Sequence, residues 1–238
     1  MVRYKQTALG VLWALLQPSL TLVVFTIVFG RVAKLPSGGA PYTLLVLTGL
    51  LPWQFFSQAV ASSAASLLSS SGLVSKVYFP RLLIPAAATA TALVDFAVAG
   101  ILMTGVMVYY RFLPDLRIFV LPAFLVLGLA AAVGMGLWFA ALTVKYRDFR
   151  FVVPFVLQLG LFISPVGFGS GIVSERYRLL YSVNPMVTVI DGFRWCLLRG
   201  NQQLYWSGFA VSIAVATVCL VTGARYFRTT ERHIADIL

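Results

Sequence analysis

The chain has 238 residues, of which 60% are hydrophobic and only 11% are charged, with a formal net charge of +11. A soluble domain carries roughly 25% charged residues, so this composition excludes an ordinary water-exposed surface and points to lipid as the solvent. The basic excess does not mark a nucleic-acid-binding chain: Lys and Arg stand in small groups between long apolar runs, the placement expected from membrane orientation and anionic lipid.

A helical span needs roughly 20 mostly apolar residues. The sequence predicts six, within an all-α integral membrane domain that occupies residues 1–238 as one unit. The first covers about 9–29 and is long enough to stay in the membrane, so it is not read as a cleaved signal. The second covers about 42–64, after the turn-rich Pro36-Ser37-Gly38-Gly39-Ala40-Pro41. The third, about 82–110, is Ala-rich. The fourth covers about 118–143 and carries Gly128, Gly134 and Gly136, which permit close helix approach. The fifth, about 151–168, is short, and the sixth covers about 204–224.

Two connections are not simple loops. The stretch 65–81 is serine-rich and then amphipathic, ending at Lys76-Val77-Tyr78-Phe79-Pro80-Arg81. It reads either as a solvated turn with a snorkelling lysine or as a surface helix that contacts a partner. The stretch 169–203 predicts two short helices, Ile172–Ser182 and Met186–Leu198, with Asn184-Pro185 as the turn between them. Neither can span, and a re-entrant pair at one interface fits best.

Basic residues orient the chain. With the N-terminus inside, the inner segments hold Arg3, Lys5, Lys76, Arg81, Lys145, Arg147, Arg150, Arg225, Arg228 and Arg232, ten in all. The two short outer loops hold four: Arg31, Lys34, Arg111 and Arg117. Residues 169–203 add Arg176, Arg178, Arg194 and Arg199 on the outer side. The balance favours both termini on the cytoplasmic face.

Catalytic devices are lacking. The single histidine, His233, cannot by itself build a metal site or a Ser-His-Asp triad. Cys196 and Cys219 form no CxxC motif. No GxxxxGK[ST] phosphate loop is present, and the seven acids do not pair within any span. The expectation is a chain with no catalytic residues, no metal and no cofactor of its own. Asp95, the one acid in mid-span, reads as an interhelical hydrogen-bonding group ahead of an ion site.

At 100° per residue, Phe151, Phe155, Gln158 and Phe162 fall within a sector of roughly 60°. An aromatic stripe with one amide suits a wall over which sugars slide, and it equally suits helix packing or lipid contact. Gln17, Gln54 and Gln58 are further amides in or near spans, able to line a polar path or to bond between helices.

Several phrases carry a family resemblance. They are Arg3-Tyr4-Lys5-Gln6-Thr7 with Leu9-Gly10, Trp13 and Gln17-Pro18; Gly49-Leu50-Leu51-Pro52-Trp53; and Lys76 to Arg81. Further along stand Tyr146-Arg147-Asp148, Ser164-Pro165-Val166, Asn184-Pro185-Met186 and Asp191-Gly192-Phe193-Arg194. In order and spacing the chain resembles the type 2 ABC transporter permeases that export lipid-linked polysaccharides such as O-antigen, capsule and teichoic acid.

The resemblance implies a homodimer of six-span subunits in the bacterial inner membrane, with both termini cytoplasmic. It implies two separate cytoplasmic ATPase subunits that hold the ATP and magnesium. It assigns Lys76, Val77, Tyr78, Phe79, Pro80 and Arg81 to contact with those subunits. It makes the first and fifth spans the walls of the glycan path, which favours the wall reading of Phe151, Phe155, Gln158 and Phe162 and adds Gln17. Tyr146, Arg147, Asp148 and Arg150 then stand at the cytoplasmic mouth, where arginine suits a lipid pyrophosphate. Members of that family carry further N-terminal residues with an amphipathic helix, whereas here the Arg-Tyr-Lys motif stands at residue 3. Rival expectations are a drug or small-lipid exporter permease of the same superfamily, a membrane-embedded glycan- or lipid-transferring enzyme, and a non-catalytic scaffold.

Overall fold

The computed structural model describes residues 12–34, 36, 39–70, 72, 80–200 and 203–237. The Arg3 motif and Lys76, Val77, Tyr78 and Phe79 lie outside the described residues, as does the side chain of Gln17. Every regular element among the described residues is helical.

Helix α1 spans Leu12–Phe25 and runs on as a π-helical stretch, Thr26–Val32. Helices α2 (Tyr42–Ser69), α3 (Leu83–Tyr109) and α4 (Leu121–Lys145, preceded by a 3-10 turn Leu116–Val120) follow. Helix α5 spans Phe149–Ile163. A 3-10 turn Ser170–Ile172 leads to the short helices α6 (Glu175–Tyr181) and α7 (Pro185–Leu197), and α8 covers Trp206–Ile237.

Four of these are long and apolar enough to cross a membrane: Tyr42–Ser69, Leu83–Tyr109, Leu116–Lys145 and Trp206–Glu231. The apolar stretches Pro18–Val32 and Phe149–Ile163 are shorter. The fifth expected span therefore differs in kind from the others. Its 15 helical residues rise about 22 Å, less than the ~30 Å hydrocarbon core. The helix stops at Ser164, which is extended (ψ 151°) and precedes Pro165. The last helix outruns its expected end, reaching Ile237 rather than residue 224.

Helix α2 is the axle of the bundle. It is buried along most of its length, and α1, α3, α4, α5 and α7 all pack against it. In lipid there is no water to expel between helices, so close packing and satisfied polar groups must hold them together. Small residues supply the close packing. A Cβ on Gly134 of α4 would lie 2.6 Å from the Leu220 nitrogen of α8, and one on Gly136 would lie 2.7 Å from Ser63 Oγ of α2. Trp138 closes the α4–α8 seam by donating to Thr222 (3.1 Å) and stacking on Tyr226 at 4.4 Å.

The two short helices form at the predicted place. Asn184 caps α7 by accepting from the Met186 amide (3.0 Å), and Pro185 occupies its first turn. Cys196 is buried and Cys219 is only partly covered. Asp95 is half-buried on α3.

Candidate functional site

Helix α5 offers most of its surface to no other part of the chain. It rests on a narrow edge: Val153 and Leu157 are buried, and Gly160 lets the Trp53 ring of α2 approach closely (a Cβ there would lie 2.7 Å from it). Leu161 packs partly on the core and Phe149 meets Phe139 of α4, while the remaining α5 side chains face outward. Phe151, Phe155 and Phe162 are 66%, 61% and 58% exposed, and Gln158 is exposed beside them. The four stripe residues thus share one uncovered face, and Val156 and Leu159 extend it.

The mouth residues adjoin the start of this face. Tyr146, Arg147 and Asp148, in the short turn from α4 into α5, and Arg150, in the first turn of α5, are all exposed. The Arg150 guanidinium lies 4.6 Å from the Phe151 ring centre, and the Lys145 ammonium lies 5.3 Å from that of Tyr146. Such cation–π contacts hold a cation beside an apolar wall while its outer side stays open. Of the stretch Lys76–Arg81, the described residues are Pro80, which is exposed, and Arg81, which bonds to Glu231 of α8.

The far end of α5 is fastened by a buried polar cluster. Arg194 of α7 is wholly buried. Its guanidinium donates to the carbonyls of Val166 (2.9 Å) and Phe168 (2.8 Å) and, with longer bonds of 3.3 and 3.4 Å, to that of Leu45 on α2. Asp191, one turn earlier, places a carboxylate oxygen 3.9 Å from the guanidinium. Tyr42 donates to Gly167 O, Tyr181 donates to Ile163 O (2.7 Å), and the Asn184 amide donates to Ser164 Oγ (2.9 Å). The non-helical segment after α5 would otherwise bury unpaired carbonyls at a cost of about 1–3 kcal/mol each. Here it is bonded at nearly every residue.

The cluster also dictates its neighbours. A Cβ on Gly49 would lie 2.9 Å from Val166 O and 3.0 Å from Arg194 Nη2, so only glycine leaves room for the guanidinium against α2. Gly167 admits Phe25 and Phe29 from the end of α1. Burial raises the Asp191 carboxyl above the usual carboxylate range, and the Arg194 guanidinium opposes that rise.

Sequence reading placed the stripe on the fifth span and the mouth just before it, but assigned no site role to Arg194. The available signal was an arginine in the apolar short helix, with an aspartate three residues before it. An unpaired charge there would be too costly to keep. No set of three or more His, Cys, Asp or Glu side chains gathers among the described residues in a way that would hold a metal ion.

Comparison with known proteins adds a frame for this geometry. A model of the ABC-2 type transporter family matches residues 1–198. The O-antigen export system permease protein RfbA of Myxococcus xanthus is 30% identical over 236 residues, covering 98% of this chain and 90% of that protein. The RfbA of Klebsiella pneumoniae is 24% identical over 238 residues, covering 100% and 90%. The polysialic acid transport protein KpsM of Escherichia coli is 26% identical over 235 residues, covering 96% and 89%.

Proposed function

The chain belongs to the ABC-2 type transporter family, and from that premise we propose that it is the membrane subunit of an ATP-driven exporter of lipid-linked polysaccharide. The observation that carries this reading is the uncovered face of α5. It combines three exposed phenylalanines with one exposed amide. A helix face of that kind suits a glycan in transit, since sugar rings stack on aromatics through their C–H faces and hydroxyls bond to an amide. In a homodimer, two such faces opposed across the axis enclose a path, with α1 and α5 as its walls and Gln17 as a further contact.

The subunit works without nucleotide chemistry of its own. Two cytoplasmic ATPase subunits bind ATP and magnesium and press on the segment Lys76 to Arg81. Both termini face the cytoplasm of a bacterium, across its inner membrane. The spans number six, α1 and α5 completing the four long ones, while α6 and α7 form a re-entrant pair on the outer side. Tyr146, Arg147, Asp148 and Arg150 receive the lipid-linked end, with the arginines meeting its pyrophosphate.

Co-purification from the native membrane tests the reading first. A stoichiometric soluble ATPase, together with loss of surface glycan when the chain is deleted, is the expected result. A chain that purifies alone and whose deletion leaves surface glycan unchanged overturns the reading. The mouth is tested separately: the double reversal Arg147→Glu and Arg150→Glu is expected to block export while the complex still assembles, and intact export removes the pyrophosphate role.

A further inference from the structure

We infer that Glu231 is a positioning residue that fixes the end of the ATPase-contacting segment, at Arg81, onto α8, and that α8 carries that position to the short outer helices. The inference rests on the export reading for the word ATPase. The contact itself rests on geometry alone.

The clasp is reciprocal. The Arg81 backbone N–H donates to Glu231 Oε1 at 3.0 Å, and Arg81 Nη1 donates to the Glu231 main-chain carbonyl at 2.6 Å. Each residue thus offers a side chain to the other's backbone, across 150 positions of sequence. Two bonds, both donated by Arg81, hold that residue against α8. The carboxylate has a second reason to sit there. Arg81 stands just before α3, whose N-cap residue Leu82 makes no side-chain cap. The first N–H groups of a helix lack partners and attract negative charge. Here the Leu83 and Ile84 amides are met by the Pro80 and Arg81 carbonyls, so Glu231 adds negative charge beside the start of α3 and takes up the Arg81 N–H that precedes it.

The rest of α8 is built as a strut. Its 32 residues rise about 48 Å against a ~30 Å hydrocarbon core, so its last turns reach well beyond the lipid. In mid-course it cannot slide on α4, because backbone meets backbone at Gly134 and Gly223 and Trp138 stacks on Tyr226. Phe227, fully buried, plugs the cluster of Leu67, Leu137, Ala140, Ala141 and Val144 just before the clasp. At the outer end Ser212 donates to Ser182 O (2.8 Å), between α6 and α7, and shares a hydrogen bond with Thr188 of α7 (2.7 Å). One rigid helix therefore grips the segment at Arg81 and the outer short helices at Ser182 and Thr188. A push delivered at Arg81 is felt at the helices that fasten the exit end of α5.

The experiment uses the full complex with its ATPase, reconstituted in vesicles, and compares wild type, Glu231→Ala and Glu231→Gln. Glu231→Ala is expected to keep ATP turnover within about twofold while glycan exported per ATP falls by about fivefold or more. Glu231→Gln is expected to stay near wild type, since its amide oxygen still accepts from the Arg81 N–H. Amide hydrogen exchange at Arg81 reads the clasp directly: faster exchange is expected in Glu231→Ala and wild-type protection in Glu231→Gln. Unchanged protection in Glu231→Ala overturns the contact. Lost protection with an unchanged export-to-ATP ratio overturns the coupling role. Where Glu231→Ala fails to assemble, Glu231→Asp takes its place, keeping the charge and withdrawing the acceptor by one carbon. A normal ratio there, with protection lost, overturns the role equally. A wild-type chain that recruits no ATPase overturns the export reading and the coupling role together, and the exchange arm still decides the clasp.

Discussion

The two ends of α5 are opposites. At its far end, Ser164 to Phe168 sit in a pocket of donors built by Arg194, Tyr42 and Asn184, buried and bonded at nearly every backbone carbonyl. Along its length, Phe151, Phe155, Gln158 and Phe162 stay exposed, with only Arg150 laid against the Phe151 ring. The contrast teaches that holding the helix and using it are separate tasks. The anchor fixes where the wall stands. The exposed residues contribute little to stability, which on the proposed reading leaves them free to be chosen for a passing glycan.

The sharpest way to break the comparison is at the anchor. Arg194→Ala leaves three carbonyls and the Asp191 carboxylate without their buried cation, and is expected to destabilise the folded subunit by about 3–5 kcal/mol. In detergent this appears as loss of the monodisperse species and a collapsed melting transition. A wild-type melting curve would mean that the cluster does not hold the end of α5.

A smaller effect is expected from Gly49→Ala. Its Cβ would stand 2.9 Å from Val166 O and 3.0 Å from Arg194 Nη2. The required shift costs about 1–3 kcal/mol, as overpacking does elsewhere. The measurement is the same melt, and the change should run in the same direction as Arg194→Ala without abolishing the fold.

The smallest stability effect is expected at the wall. Phe155→Ala removes a ring that is 61% exposed, so stability is expected to move by no more than about 0.5 kcal/mol. Export is nonetheless expected to fall by about tenfold, a ~1.4 kcal/mol loss of interaction with the glycan in passage. A large melting shift with export preserved would reverse the assignment of α5's two ends.

Much of this was legible along the chain. The length of the apolar runs placed the helices, because lipid demands long apolar stretches with internally bonded backbones. The stripe on α5 followed from angle alone, since residues 3 and 4 apart on a helix must share a face. Asn184-Pro185 announced a helix start through its cap chemistry. The early end of α5 was less legible, because Val166 and Phe168 continue the apolar run and Pro165 and Gly167 mark a break without fixing where the helix stops.

What the sequence by itself determined, then, is everything governed by near neighbours: the membrane class, the order of the helices, the faces they present and the motifs between them. The tertiary structure alone decided which of those faces stay uncovered and which charges are held. Arg194 finds its acceptors at Val166 and Leu45, 28 and 149 residues away, and Arg81 finds Glu231 across 150. No local pattern encodes such pairings. They exist because helix packing brings the start of α2, the break after α5 and the short helix α7 together at one end of the bundle, where a buried charge must be matched by every acceptor within reach.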